Sequence, residues 1–277
     1  MKIQPKITLV MPSFNQAAFL EEAICSVLAQ NYPRLEFILL DGGSSDGSVG
    51  IIQQYANHLH YWHSRPDAGQ ADALQQGFAM GSGELMGWLN SDDVLLPGAI
   101  ERIVQAYHAN PNGGLFAGNL VWIDQQGKIV RCKRHPSQAP LFIRHGVFAV
   151  AQPGSFFTPQ EYASVGGLNV SLRYVMDADL YIRMLDQGTR YIHVDAWLSG
   201  FRLQHASKTV SESAQFSQEY ECVRLSSWHS MKPSRTWKIL YKAWQVVNGN
   251  YARMTVETLL AQGQHWQSWA KVPTSTR

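Results

Sequence analysis

Leu35–Gly47 reads LEFILLDGGSSDG, and this stretch decides the fold. Leu35 to Leu40 is a short, largely apolar run bounded by turn residues, which predicts a buried strand. The run stops at Asp41, and Gly42-Gly43-Ser44-Ser45-Asp46-Gly47 predicts a loop. Ser48 to Tyr55 then predicts a helix.

The same alternation continues on both sides. Upstream, Ile7–Met11 (ITLVM) predicts a strand stopped by Pro12. Phe19–Gln30 predicts a helix, because Phe19, Leu20, Ala23, Ile24, Val27 and Leu28 fall on one face and Pro33 lies beyond its end. Downstream, His60–Ser64 predicts a third strand and Gln70–Met80 a third helix, ended by Gly81-Ser82-Gly83. Glu84–Leu89 predicts a fourth strand that delivers Asn90-Ser91-Asp92-Asp93, and Pro97 opens a helix to about Ala109. The first 110 residues therefore predict an open, parallel α/β sheet. Ligands of such sheets bind beyond the carboxyl ends of the strands. Three of the four strands end there in polar groups: Ser13-Phe14-Asn15, Asp41-Gly42-Gly43 and Asn90-Ser91-Asp92-Asp93.

From Gly114 the pattern loosens. Leu115–Ile123 and Gly127–Cys132 are expected to pair around Asp124-Gln125-Gln126-Gly127, and a helix is expected from about Ala178 to Gln187. Tyr191–Val194 and Trp197–Arg202 are two further strand candidates.

The 277 residues are 45% hydrophobic and 16% charged, enough for a sizeable core. A net charge of +2 gives no argument for nucleic acid. Three well-separated cysteines (Cys25, Cys132, Cys222) show neither a disulfide framework nor zinc spacing, which fits a reducing, cytoplasmic setting. MKIQPKITLV is not expected to be a signal peptide, and no apolar run is long enough to span a bilayer. Trp228–Arg277 holds seven Lys and Arg against one acid, Glu257, and five of the nine Trp. Two readings stand: peripheral contact with the inner face of an anionic cytoplasmic membrane, or a helical appendage that packs its aromatics on the main domain.

The loop after Asp41 is neither GxxxxGK[ST] nor GxGxxG, which disfavours a P-loop nucleotidase and an ordinary dinucleotide dehydrogenase. Any phosphate bound there needs another source of positive charge. Asp92 and Asp93 offer oxygen ligands suited to Mg²⁺ or Mn²⁺. Each acid also has a plainer reading: Asp92 and Asp93 as a helix N-cap pair before Pro97, Asp41 as a turn opener, Asp177 and Asp179 as an N-cap and first-turn acid. The functional reading of the Asp177 and Asp179 pair is that one of them is a general base. His205 and Lys208, in FRLQHASKT, are weak candidates for a metal or diphosphate contact.

Taken together, residues 6 to 210 resemble the inverting family 2 nucleotide-sugar glycosyltransferases of the GT-A fold. The resemblance is carried by Val10–Ser48, Arg65–Asp93 (RPDAGQADALQQGFAMGSGELMGWLNSDD), Gly166–Leu185 (GGLNVSLRYVMDADLYIRML) and Phe201–Thr209, in the family's order. It implies a Rossmann-like, mixed but mostly parallel sheet flanked by helices. A nucleotide-sugar half would span about 1–110, an acceptor half about 111–210, and a C-terminal helical extension 211–277. By the resemblance, Pro12, Ser13 and Asn15 line the nucleotide pocket, Asp41 bonds the base, typically uracil, and Asp67 lies near the nucleotide or donor sugar. Asn90-Ser91-Asp92 stands at the family's D-x-D motif, with Asp92 on Mn²⁺ or Mg²⁺ and Asp93 supporting the metal or the donor sugar. Asp177 matches the general base, and His205 and Lys208 reach the metal or the leaving diphosphate. Asn90 departs from the usual first Asp, so a ribose contact would come from an amide; Gln75 departs from A-x-N-x-G.

The implied activity is transfer of a sugar, UDP-linked in the typical case, to a saccharide or lipid-linked saccharide acceptor, in bacterial surface polysaccharide or glycolipid assembly. The alternatives are a sugar-phosphate nucleotidyltransferase, which the acidic, lysine-free loop Asp41–Gly47 disfavours, and a non-catalytic nucleotide-sugar binding protein.

Overall fold

The computed structural model describes residues 4–150, 152–204, 213–226 and 235–269. Its first half carries four parallel strands, β1 (Ile7–Ser13), β2 (Leu35–Asp41), β3 (Tyr61–Ser64) and β4 (Leu85–Trp88), in the spatial order β3-β2-β1-β4. Helices α1 (Ala17–Leu28), α2 (Ser48–Tyr55) and α3 (Gln70–Met80) connect them. The sheet continues through β8 (Phe156–Phe157), β6 (Leu115–Ile123), β9 (Tyr191–Arg202) and β5 (Val94–Leu95), with β7 (Ile129–Lys133) also on β6. β8 is antiparallel to both neighbours, whereas β6 and β9 are parallel. The helices of this half are α4 (Ala99–Ala109), α5 (Ala139–Arg144), α6 (Pro159–Ser164) and α7 (Met176–Asp186). The C-terminal helices are α8 (Ser213–Ser226), α9 (Arg235–Val247), α10 (Asn250–Ala261) and α11 (Trp266–Trp269).

β2 explains why its sequence is an almost unbroken apolar run. Phe37 and Leu39 enter one core with Ile24 and Val27 of α1, while Ile38 and Leu40 enter another with Leu74 and Phe78 of α3. Side chains alternate across a strand, so a sheet covered on both faces needs apolar residues at every position. Full burial of each such side chain is worth about 1.5–3 kcal/mol.

Three expectations change and one holds. β1 does not stop at Pro12 but runs to Ser13, because the β4 pairing ends at Val10↔Trp88 and the N–H that proline lacks faces a side where the ladder is already over. Tyr191–Arg202 is one strand, not two; register shifts beside Gly118 and Asn119 absorb the irregularity that divides its pattern. The helix after Pro97 begins at Ala99 with Gly98 as its N-cap, and Val94–Leu95 is a short strand on β9. The Leu115–Cys132 hairpin forms as expected, in antiparallel register from Leu120↔Lys133 to Ile123↔Ile129.

The C-terminal tryptophans lie against the main body. Trp237 stacks on His145, and Trp244 meets Phe142 of α5 edge-on. Trp266 and Trp269 are buried beside Val94, Val121 and Ile123. Trp228 lies outside the described residues. No described helix is long and apolar enough to cross a membrane.

Candidate active site

The carboxyl ends of β1, β2, β3 and β4 share one edge, where Ser13, Asp41 and Ser64 stand side by side in register. Asp41 is fully buried and tied into its own loop. Its Oδ2 accepts from the Gly43 and Ser44 amides (3.1 and 2.9 Å) and the Ser64 hydroxyl (2.6 Å), and its Oδ1 from the Ser44 hydroxyl (2.5 Å). Asn15, held at φ 51°, accepts from the Ser45 amide (2.9 Å) and donates its own amide to Ser44 Oγ (2.8 Å), which fixes the β1 loop on the β2 loop. Asp67, beyond β3, lies over Gly42: a Cβ there would stand 3.0 Å from Asp67 Oδ2. The two glycines of the motif are thus required by close approach at Gly42 and by φ +87° at Gly43. Pro12, Ser13, Asn15, Asp41 and Asp67 are brought together on this edge.

Beyond β4, Asn90–Asp93 forms a tight turn closed by the Asp93 amide donating to the Asn90 carbonyl (3.1 Å). The plainer reading of the acid pair does not hold, because α4 starts at Ala99 and neither carboxylate caps it. Asp93 is buried. It accepts from the Arg202 amide (2.9 Å) and from Asn90 Nδ2 (3.2 Å), yet burial, and next the Asp92 charge, push its carboxyl well above the usual carboxylate range. Asp92 is partly exposed and accepts from Gln204 Nε2 (2.6 Å). Asn90, expected to touch ribose, is held from three sides: it accepts from Gln70 Nε2 (2.7 Å) and donates to Asp93 and to Gln152 Oε1 (3.1 Å).

Arg202 binds this turn to the rest of the molecule. Its side chain is fully buried and lies over the Phe19 ring. It donates to the Asp92 carbonyl (2.8 Å), the Asp124 carbonyl (2.9 Å) and Glu22 Oε2 (2.5 Å). Glu22 in turn accepts from the Trp266 indole. Sequence reading picked His205 and Lys208 from the same segment; both lie outside the described residues, whereas Arg202 and Gln204, three and one residues before His205, make the contacts. Their signal was a polar pair at the end of an apolar strand.

Asp177 and Asp179 both fall in the first turn of α7, but the fold separates their roles. Asp179 is paired to Arg183 (2.6 Å), whose guanidinium also binds the Val165 and Gly167 carbonyls. Asp177 has no such cation. Burial pushes its carboxyl up to about 6, and the amides of Ala178 and of Asp177 itself offset this only in part. Tyr181, one turn on and fully buried, has its phenol pushed well up by burial and by the Asp177 charge. Glu219 of α8 accepts from the amides of Arg173, Tyr174 and Val175 (2.8, 2.6 and 2.9 Å), and so anchors the entry to α7. No sequence motif pointed to Glu219, because its partners are main-chain groups 44 to 46 residues away.

The family model of glycosyl transferase family 2 matches residues 8–162. The chain belongs to glycosyl transferase family 2. An uncharacterised glycosyltransferase of Mycobacterium tuberculosis is 30% identical over 184 residues, covering 65% of this chain and 68% of the relative. One of Nostoc is 33% identical over 129 residues, 43% of this chain and 40% of the relative. Among solved structures, this glycosyltransferase resembles S. aureus TarS in complex with UDP-GlcNAc, with a TM-score of 0.62 and 13% identity over 82% of this chain and 68% of that one. It also resembles the mannosyltransferase PcManGT of Pyrobaculum calidifontis in complex with GDP-Man and Mn²⁺, with a TM-score of 0.61 and 15% identity over 97% of this chain and 84% of that one. The fold is thus of the GT-A type, and family membership sets the nucleotidyltransferase reading aside.

Among the described residues no three His, Cys, Asp or Glu side chains cluster as a ready metal site. The donors present still fit a hard divalent ion. Asp92 and Asp93 supply carboxylate oxygens, and Mg²⁺ or Mn²⁺ in such sites takes one or two carboxylates and completes its shell with substrate phosphates and water. The upward push that Asp92 exerts on Asp93 is the physical mark of a pair that a cation would relieve.

Proposed function

We propose that this glycosyltransferase moves a sugar from a nucleoside-diphosphate sugar to an acceptor hydroxyl with inversion at the anomeric carbon. The observation that carries the reading is the division of labour among the acids: Asp41, Asp92 and Asp93 are bound at strand ends by hydroxyl, amide and main-chain donors, whereas Asp177, among the described residues, takes no side-chain hydrogen bond and burial pushes its carboxyl up to about 6. A base near 6 is ionised at neutral pH and still takes a proton from a hydroxyl as that hydroxyl attacks. One in-line displacement then forms the new glycosidic bond, breaks the bond to the diphosphate and leaves the proton on Asp177.

The loops after β1, β2 and β3 supply the nucleotide pocket. Ser13, Asn15 and Asp41 hold the base and ribose, and Asp67 lies toward the donor sugar. UDP is the expected nucleotide. Asp92, with Asp93 behind it, would hold Mn²⁺ or Mg²⁺, and Lys208 and His205 would approach the diphosphate. When bound, the ion stabilises the charge that develops on the leaving diphosphate. Acceptors are saccharides or lipid-linked saccharides, in keeping with surface polysaccharide or glycolipid assembly.

Thermal unfolding in the presence of UDP- and GDP-sugars, each with Mn²⁺, Mg²⁺ or EDTA, tests the reading. A donor at a hundredfold excess over its dissociation constant is expected to stabilise by about 2.7 kcal/mol. Stabilisation should need the metal and should vanish in Asp92→Asn. Equal stabilisation with EDTA, or in that variant, removes the ion from the mechanism.

A further inference from the structure

The C-terminal hairpin of α9 and α10 has a second apolar face, which is exposed among the described residues. The inner face of α9 is used: Trp237 stacks on His145, while Tyr241 and Trp244 pack on Phe142. On the opposite side, Ile239, Leu240, Val246 and Val247 are exposed, Val247 at 84%. At 3.6 residues per turn these four fall within about a third of the circumference, so they form a stripe rather than scattered positions. α10 repeats the arrangement. Its inner face is fixed by Ala261 in the core, Thr258 accepting from the Cys132 amide, and Glu257 paired to Arg134. Val256, Leu259 and Leu260 point outward, Leu259 at 71%. The turn at Asn248-Gly249 joins the two stripes.

Charge decides the occupant. Lys238, Lys242 and Arg253 are exposed on the same two helices, and the only acid from 235 to 269 is Glu257, which Arg134 already holds. A twofold contact with a second copy would set these cations against each other with no acid of the hairpin to answer them. Aliphatic side chains edged by cations fit an anionic bilayer, where the stripe enters the headgroup–acyl boundary and the cations meet phosphate. We propose that the α9–α10 hairpin docks this glycosyltransferase on anionic membrane surfaces through its aliphatic outer face. The four described tryptophans of this segment are not the contact, because the protein itself engages them. The proposal stands apart from the assignment of donor, metal and base.

Flotation with phosphatidylcholine vesicles, with and without phosphatidylglycerol, tests it on the full chain. Binding is expected to anionic vesicles, and to fall about tenfold or more in the combined variant Ile239→Ser, Val247→Ser, Leu259→Ser and Leu260→Ser. These exposed positions should leave the circular dichroism and the donor-dependent thermal shift unchanged. A second variant, Lys238→Glu with Lys242→Glu, is expected to lose the preference for anionic vesicles while keeping the fold. No binding of the wild type to either vesicle, or binding unchanged in both variants, overturns the proposal. So does a dimer in sedimentation velocity that the serine variant abolishes, since that makes a second copy the occupant.

Discussion

In the half of the sheet built on β1 to β4, Asp41 takes four hydrogen bonds from its own loop and from Ser64; in the half that carries α7, Asp177 takes none from a side chain, and burial pushes its carboxyl up to about 6. The contrast separates two uses of an acid. A carboxylate that shapes a pocket must not move, so the fold surrounds it with donors. On the proposed mechanism Asp177 accepts a proton, which suits a carboxylate that holds its charge less comfortably. Asp179 makes the point within a single helical turn: two residues from Asp177, it is pinned by Arg183 and serves structure.

The largest expected effect breaks the contrast at Asp177. Asp177→Asn should lower turnover by about 10²–10⁴-fold, with the donor-dependent thermal shift intact; near-normal turnover would remove Asp177 as the base. The same change should raise the melting temperature at pH 7.5. Burial pushes the folded carboxyl from its ordinary 3.8 up to about 6, so the folded chain holds the proton more tightly. Ionisation therefore costs stability above about pH 6, and the cost is gone below the unfolded value. A lower melting temperature in Asp177→Asn would contradict this.

Next in size is the turn that both halves share. Arg202→Met leaves Glu22 and the Asp92 and Asp124 carbonyls without their cation, and should cost about 3–5 kcal/mol in urea unfolding, as removal of one partner of a buried ion pair does. Asp41→Asn keeps one oxygen for the two main-chain donors but sets an NH₂ against the Ser44 hydroxyl that donates to Oδ1, at a cost of about 1–3 kcal/mol, read from the urea midpoint and accompanied by weaker donor binding. The smallest and most graded effect is pH. Below about 6, kcat/KM should fall tenfold per unit as Asp177 protonates; a flat profile to pH 5 would mean that another group takes the proton.

The sequence was most readable where local pattern and burial agree. β2 is an almost unbroken apolar run, interrupted by Glu36, because both its faces are covered, and its Gly42-Gly43 end marks the close approach of Asp67. Asp177 was legible as a candidate, but its difference from Asp179 was not, since that rests on Arg183 reaching back one turn and on the crowding around the first acid. Arg202, Gln204, Gln152 and Glu219 were out of reach for a further reason. Each acts across 44 residues or more, and three of them act on main-chain groups, which leave no trace in side-chain pattern. The short strands β5 and β8 were missed because two residues carry no periodicity at all.

The bond from the Trp266 indole to Glu22 spans 244 residues, and Glu22 is the carboxylate on which Arg202 rests. On a ribosome the helix that bears Glu22 emerges well ahead of its tryptophan partner. At about 5–20 residues per second, roughly 10–50 s of synthesis separates them. Over that interval the support behind Asp92 and Asp93 is incomplete, because the indole that holds Glu22 is made well after the acids themselves.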